Sequence, residues 1–205
     1  KAYKMCFIEN NIDIDIKEFL GKYIAINFNY WKLYREEKVT KEELQYGRLS
    51  DAFKAMNYTI SDFVINKIAI EYLGYLPEFN TLFEGAIEVL EYLKAKYKLH
   101  IITNGFAEIQ HHKIKKSGMQ AYFTELITSE SVGVKKPNPK VFHYALKKAN
   151  ALASDSVMIG DSLEADIQGA IRVGMKAIHF NPESKIFPVH HKHEIKHLYE
   201  IKKYL

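Results

Sequence analysis

Three short stretches place polar, chemistry-bearing residues directly behind apolar runs: IITNG with Thr103, Asn104 and Gly105; GVKKPNPKVF with Lys136; and VMIGDSLEADIQGA with Asp161 and Asp166. A hydroxyl and two backbone amides at a strand-to-helix turn can hold phosphate oxygens, because the amides point outward and the helix dipole favours an anion. The same residues could equally serve as an ordinary helix N-cap. Lys136 precedes Pro137, which biases it toward extended backbone and aims its ammonium in a fixed direction. Such a lysine could neutralise a phosphoryl group; a solvated lysine in a turn is the plainer alternative. Asp161 ends an apolar strand, where a carboxylate is costly without a cationic partner. Asp166 follows five residues later and can point back to the same space, while Glu164 more naturally faces water. Hard oxygen ligands around an open position suit magnesium, which takes one or two carboxylates and keeps several waters.

Weaker constellations surround these. His190, His191, His193 and His197 could suggest zinc, although a solvated loop and helix start explains them better. Tyr30, Trp31 and Tyr34 could stack on a flat ring or fill a helical core. Trp31 and Tyr34, three apart, share a helix face from which Tyr30 is offset. The glycines around Asp161 match neither a P-loop nor a dinucleotide fingerprint.

The elements that must position these residues change character near residue 80. Residues 17–37, 40–56 and 61–73 carry apolar positions at helical spacing, and Thr40 with Glu43 has capping-box spacing. From there the pattern alternates: a helix over 84–96, the strand LHIITN, a helix over 107–117, ELITSE, a helix over 139–149, VMIGDS, a helix around 166–173, KAIHFN, and a last helix over 194–205 after the loop 182–193. Short continuous apolar runs between amphipathic helices predict a Rossmann-like α/β core with a parallel sheet buried on both faces. The chain therefore divides into an all-helical segment, 1–79, and an α/β segment, 80–205. In such sheets ligands bind beyond the carboxyl ends of the strands, where all three motifs stand.

Bulk properties narrow the classes further. At 205 residues, 47% hydrophobic and 26% charged, the chain suits a folded core rather than a disordered or fibrous one. No stretch reaches the roughly 18 apolar residues of a membrane span, and KAYKMCFIEN is too short and polar for a signal peptide. One cysteine, Cys6, excludes an internal disulfide framework and points to the cytoplasm. A net charge of +4 spread over scattered lysines argues against a nucleic-acid polymer as partner and is compatible with a small anionic substrate. A monomer or a homodimer is expected.

The three motifs, in this order and spacing, resemble the second, third and fourth signatures of the haloacid dehalogenase superfamily, and the likeness extends over essentially the whole chain. WKLY, TKEELQYGRL and EGAIEVLEYL resemble the helical cap of its pyrimidine 5′-nucleotidase branch. The resemblance implies a phosphatase that acts on small phosphate monoesters, pyrimidine nucleoside 5′-monophosphates among them, through an aspartyl-phosphate with Mg2+. It gives Thr103, Asn104, Gly105 and Lys136 to the transferring phosphoryl group, Asp161 and Asp166 to the metal, and Trp31 to the substrate. Related activities left open are sugar-phosphate hydrolysis, haloacid dehalogenation, which lacks a counterpart of Asp161, and a non-catalytic binding or regulatory role.

The family's first motif, an apolar strand ending in Asp-x-Asp-x-Thr, supplies the nucleophile and the general acid. DIDIK, with Asp13 and Asp15, has the right separation, but Glu9, Asn10, Asn11 and Ile12 before it cannot form a doubly buried strand. Lys17 also stands where a small hydroxyl residue belongs. The motif is therefore expected upstream of Lys1, and a sheet without its central strand is expected to be split.

Overall fold

Aromatic residues at helical spacing build the first part of the chain. The computed structural model describes residues 1–186 and 191–205, and it divides them into two units, Lys1–Asn80 and Thr81–Leu205. The first unit is helical: α1 (Ala2–Glu9), α2 (Ile16–Arg35), α3 (Lys41–Ala55), α4 (Asp62–Tyr75) and a 3-10 turn, Leu76–Phe79. Helix α1 was not anticipated, although Ala2, Tyr3, Cys6 and Phe7 are its buried face and lie at helical spacing. Together with Phe19, Tyr23, Leu49, Phe53, Ile65 and Ile68 they form the core of this unit. Tyr3 stacks on Tyr72 with ring centroids 4.0 Å apart, and Phe7 meets Phe19 edge-on at 4.9 Å.

Local signals set the helix starts. Thr40 and Glu43 close the expected capping box: Glu43 N–H donates to Thr40 Oγ1 at 3.1 Å, and Thr40 N–H to Glu43 Oε2 at 2.7 Å. Asp15 caps α2 by accepting from the amides of Lys17 and Glu18 at 2.9 and 2.8 Å. DIDIK is thus the lead-in to a helix, with Asp13 and Asp15 both exposed, as its flanking residues suggested. The Tyr30 hydroxyl donates to Asp51 Oδ2 at 2.8 Å, and its ring lies over Gly47, where any Cβ would collide with it. Burial and this carboxylate push the Tyr30 hydroxyl up to about 12.

The second unit alternates: α5 (Ala86–Lys94), β1 (Leu99–Thr103), α6 (Ala107–Lys116), β2 (Phe123–Thr128), α7 (Ser129–Val132), α8 (Pro139–Ala149), β3 (Val157–Gly160), a π-helical turn (Leu163–Gln168), α9 (Gly169–Arg172), β4 (Lys176–Phe180), β5 (Glu194–Ile195) and a 3-10 helix, Leu198–Lys203. Every strand pair is parallel. The strands form two separate ladders among the described residues, β1–β2 and β3–β4–β5, so the sheet is split as expected.

Two expectations need correction. The helix anticipated around residues 166–173 begins at Leu163 as a wide turn, because the Ser162 hydroxyl accepts from Ala165 N–H at 3.1 Å and starts the turn early. The helix anticipated over 194–205 is instead β5 followed by a 3-10 helix. Glu194 and Ile195 pair with His179 and Phe180 of β4. Ile195, Leu198 and Ile201 recur every three residues, the period of a 3-10 helix, and pack with Val89, Leu93 and Ile178. No helix among the described residues is long and apolar enough to cross a membrane.

Candidate active site at the strand ends

Lys136 ties the two ladders together. Its Nζ donates to the carbonyl of Ile102 in β1 at 2.7 Å and to Asp166 Oδ1 in the turn after β3 at 2.6 Å. Both charged residues are buried, with 7% and 4% of their surfaces exposed. A buried ion pair holds only when further hydrogen bonds satisfy its remaining atoms. Here the second carboxylate oxygen, Asp166 Oδ2, accepts from Ser162 N–H at 3.0 Å. An ammonium has three donors, and two of these are engaged within the protein.

The backbone of Lys136 is fixed as firmly as its side chain. Asn104 Oδ1 accepts from Lys136 N–H at 2.8 Å, and Asn104 Nδ2 donates to Lys136 O at 2.9 Å. The side-chain amide thereby imitates a strand partner. The Lys136–Pro137 peptide is cis. Beyond it Asn138 caps α8 through Lys140 N–H at 3.0 Å with Pro139 in the first turn, as the sequence indicated.

Thr103 and Asn104 do not cap α6, whose N-cap is Phe106 without a side-chain hydrogen bond. The Thr103 hydroxyl accepts from Gly105 N–H at 3.0 Å, so the Gly105 amide is turned inward and its hydroxyl hydrogen remains a donor. Of the groups expected in this turn, the Thr103 hydroxyl keeps its own hydrogen to donate, while the Gly105 amide is taken up by Thr103.

Asp161 stands at the mouth of β3 with an exposed side chain, next to Ser162, which joins it to the Lys136–Asp166 pair. Asp166, expected to hold a metal-bound water or to support Asp161, has protein partners on both oxygens: Oδ1 accepts from Lys136 Nζ and Oδ2 from Ser162 N–H. Glu164 is exposed. Gly160 leaves the room that the pair needs: a Cβ there would fall 2.5 Å from Asp166 Cβ and against Asp166 Oδ2. Gly160→Ala is accordingly expected to cost about 1–3 kcal/mol of stability, the usual cost of overpacking a filled site. Thermal unfolding of the variant checks this, and an unchanged midpoint would mean that Asp166 moves freely.

Among the described residues no group of three or more His, Cys, Asp or Glu side chains is placed to hold a metal. A single exposed carboxylate beside an ordered turn fits magnesium, which demands few protein ligands, better than zinc, which takes three or four. His191 donates from Nε2 to Ala177 O at 2.7 Å, His197 stacks on Tyr199, and His190 lies outside the described residues. In the helical unit Trp31 is half-buried and meets Tyr34 edge-on at 5.8 Å, so the shared face expected for the two rings is present.

Sequence reasoning missed the Asn104 tether and the part of Ser162. The Ser162 cap has a recognisable signal, a hydroxyl residue opening a helical turn; the tether has none, since it spans 32 residues.

The parallel α/β core and these strand-end residues define a hydrolase of a known family. A model of the haloacid dehalogenase-like hydrolases matches residues 7–174, and the chain belongs to that family. The pyrimidine 5′-nucleotidase YjjG of Escherichia coli is 32% identical over 183 residues, which cover 89% of this chain and 79% of YjjG. A glyceraldehyde 3-phosphate phosphatase of Pyrococcus abyssi is 37% identical over 132 residues, 58% of this chain and 56% of that protein. A crystal structure of the HAD-hydrolase YfnB of Bacillus subtilis bound to magnesium superposes with a TM-score of 0.88 at 29% identity, covering 99% of this chain and 88% of YfnB. The α/β fold with a helical cap, expected from the motifs, is that of the family.

Proposed function

We propose that the protein is a magnesium-dependent phosphatase of small phosphate monoesters that prefers pyrimidine nucleoside 5′-monophosphates. The observation that carries this reading is the buried Lys136–Asp166 pair, which holds an ammonium between β1 and the turn after β3 with two of its three donors taken among the described residues. A buried Lys–Asp pair needed only for stability could be replaced, both partners together, by apolar packing at little cost. One fixed beside an exposed carboxylate suits a substrate that brings both negative charge and a hard cation.

Each residue then has a part. The third Lys136 donor, the Thr103 hydroxyl and the Asn104 backbone amide bind the equatorial phosphoryl oxygens, where charge accumulates in transfer. Gly105 shapes that turn by donating its amide to Thr103. Asp161 would hold magnesium directly, and Asp166 supports the site by orienting Lys136 and the Ser162 amide. When bound, magnesium supplies positive charge that screens the attacking carboxylate from the phosphate. The phosphoryl group passes to the aspartate of the family's first motif as the P–O bond to the leaving group breaks. Water then cleaves the aspartyl-phosphate.

The substrate preference rests on the likeness to YjjG. Likeness to a glyceraldehyde 3-phosphate phosphatase favours a second reading, in which sugar phosphates are taken as readily. Competing uridine-type monophosphates against small sugar phosphates by kcat/KM separates the two. A nucleotidase predicts a higher value for the nucleotide, and equal values would remove the nucleotidase reading while leaving the phosphatase.

A further inference from the structure

The strand after the Asp161 turn carries a histidine that the proposed chemistry does not use. His179 in β4 is 1% exposed, and it is the ladder partner of Gly160, the residue before Asp161. Its Nε2 lies 3.2 Å from the backbone oxygen of Asp161. A carbonyl oxygen only accepts, so Nε2 carries the hydrogen of this bond. On the other side of the ring, Nδ1 lies 3.1 Å from Glu194 Oε2, and with Nε2 already carrying a hydrogen this bond requires a second one, on Nδ1 or on the carboxyl. Glu194 is the ladder partner of His179 in β5, and its second oxygen accepts from Asn181 Nδ2 at 3.2 Å. Asn181 is itself held, its Nδ2 donating to Lys185 O at 2.9 Å and its Oδ1 accepting from Lys185 N–H at 3.0 Å. A chain of hydrogen bonds thus runs from the loop after β4, through Glu194 and the imidazole, to the peptide that carries the Asp161 carboxylate.

A buried ring serving only as core filler has no need of polar partners on both nitrogens, and its burial with them is costly unless they are kept. The ladder already fixes β3 up to Gly160; Asp161 lies just past it, where the strand has ended. We infer that His179, oriented by Glu194, is a positioning residue that fixes the Asp161 peptide and so sets the direction of the carboxylate that takes magnesium. The inference rests on Asp161 being the metal ligand. It assigns His179 no contact with substrate. Partners of this kind, one step behind a metal ligand, typically change metal affinity by about 10- to 100-fold when removed.

The test uses the full-length protein and magnesium chloride alone, titrated by calorimetry without substrate. His179→Phe keeps the ring volume but loses the donor, and should weaken magnesium binding by about tenfold or more. His179→Gln can place an amide N–H near the Nε2 position and should recover binding to within about threefold of wild type. The magnesium concentration for half-maximal turnover should shift in parallel, while substrate KM at saturating magnesium stays fixed. Glu194→Ala, at a half-buried position, should move affinity in the same direction by a smaller factor. An affinity unchanged in His179→Phe, or in Glu194→Ala should the Phe variant not fold, overturns the inference. Equal loss in Phe and Gln variants does so too, since packing alone would explain it. A wild-type protein that binds no magnesium overturns the reading of Asp161 itself, a different result from wild-type binding that the variants leave untouched.

Discussion

Asp161→Asn is expected to lower phosphate-ester turnover at ordinary magnesium concentrations by about 100- to 1000-fold, corresponding to about 3–4 kcal/mol of lost transition-state stabilisation. The amide is nearly the shape of the carboxylate but a much poorer ligand for a hard cation. Because the Asp161 side chain is exposed and its backbone bond to His179 does not involve the side chain, the fold should be indifferent to the change. Unfolding free energy should stay within about 0.5 kcal/mol of wild type, as for other surface substitutions. Activity and stability are therefore read separately: turnover collapses and the thermal midpoint holds. Preserved turnover would remove Asp161 from the metal, and lost stability would give it a structural part that the geometry does not show.

Lys136→Met should have the opposite balance, damaging both. Removing the ammonium leaves Asp166 buried with an uncompensated charge, and breaking such a pair typically costs about 3–5 kcal/mol. The Ile102 carbonyl loses its donor as well. Adding Asp166→Asn removes the stranded charge while an amide oxygen can still accept from Ser162 N–H. The double variant should regain most of the stability, yet remain inactive, because no cation faces the phosphoryl group. Denaturant unfolding of the three proteins, set beside their turnover, checks both halves. If the double variant is no more stable than Lys136→Met, the cost lies in lost packing rather than in charge. If it regains activity along with stability, Lys136 is a structural residue only.

The contrast between these two positions shows what could be read from the chain and what could not. The strands β1 to β4 were legible because each holds a short apolar run between helical patterns, although β1 is half-buried throughout and Thr124 of β2 is exposed, and because Asn138 and Pro139 mark a helix start. Thr103, Asp161 and Asp166 were legible as candidates because each follows a strand or its turn, and Lys136 because Pro137 restricts its backbone; helix α7 stands between β2 and Lys136. The pairing of Lys136 with Asp166 was not, since it joins residues 30 apart and depends on where two loops meet in space. Strand β5 was missed for a related reason. Two residues have no periodicity of their own, and what makes Glu194 and Ile195 a strand is the edge of β4 beside them. The helix anticipated over 194–205 survives only as the tighter 3-10 helix, Leu198–Lys203. Helix α1 carried a buried face in its sequence, but at 8 residues it is shorter than the window over which helical periodicity is secure.

The Asp166 assignment shows how close a sequence reading comes to a site without resolving it. Charge and spacing put Asp166 beside Asp161, and the structure agrees that the two belong to one turn. Only the coordinates divide their work, with one carboxylate open to solvent and the other paired with an ammonium and an amide.

The central claim, that these strand ends serve magnesium-dependent hydrolysis of phosphate monoesters, is tested most directly by turnover of a generic aryl phosphate by the full-length protein across a magnesium titration. The account predicts no measurable turnover in excess chelator, saturable recovery as magnesium is restored, and no recovery in Asp161→Asn at the same concentrations. Turnover that persists undiminished in excess chelator would contradict it.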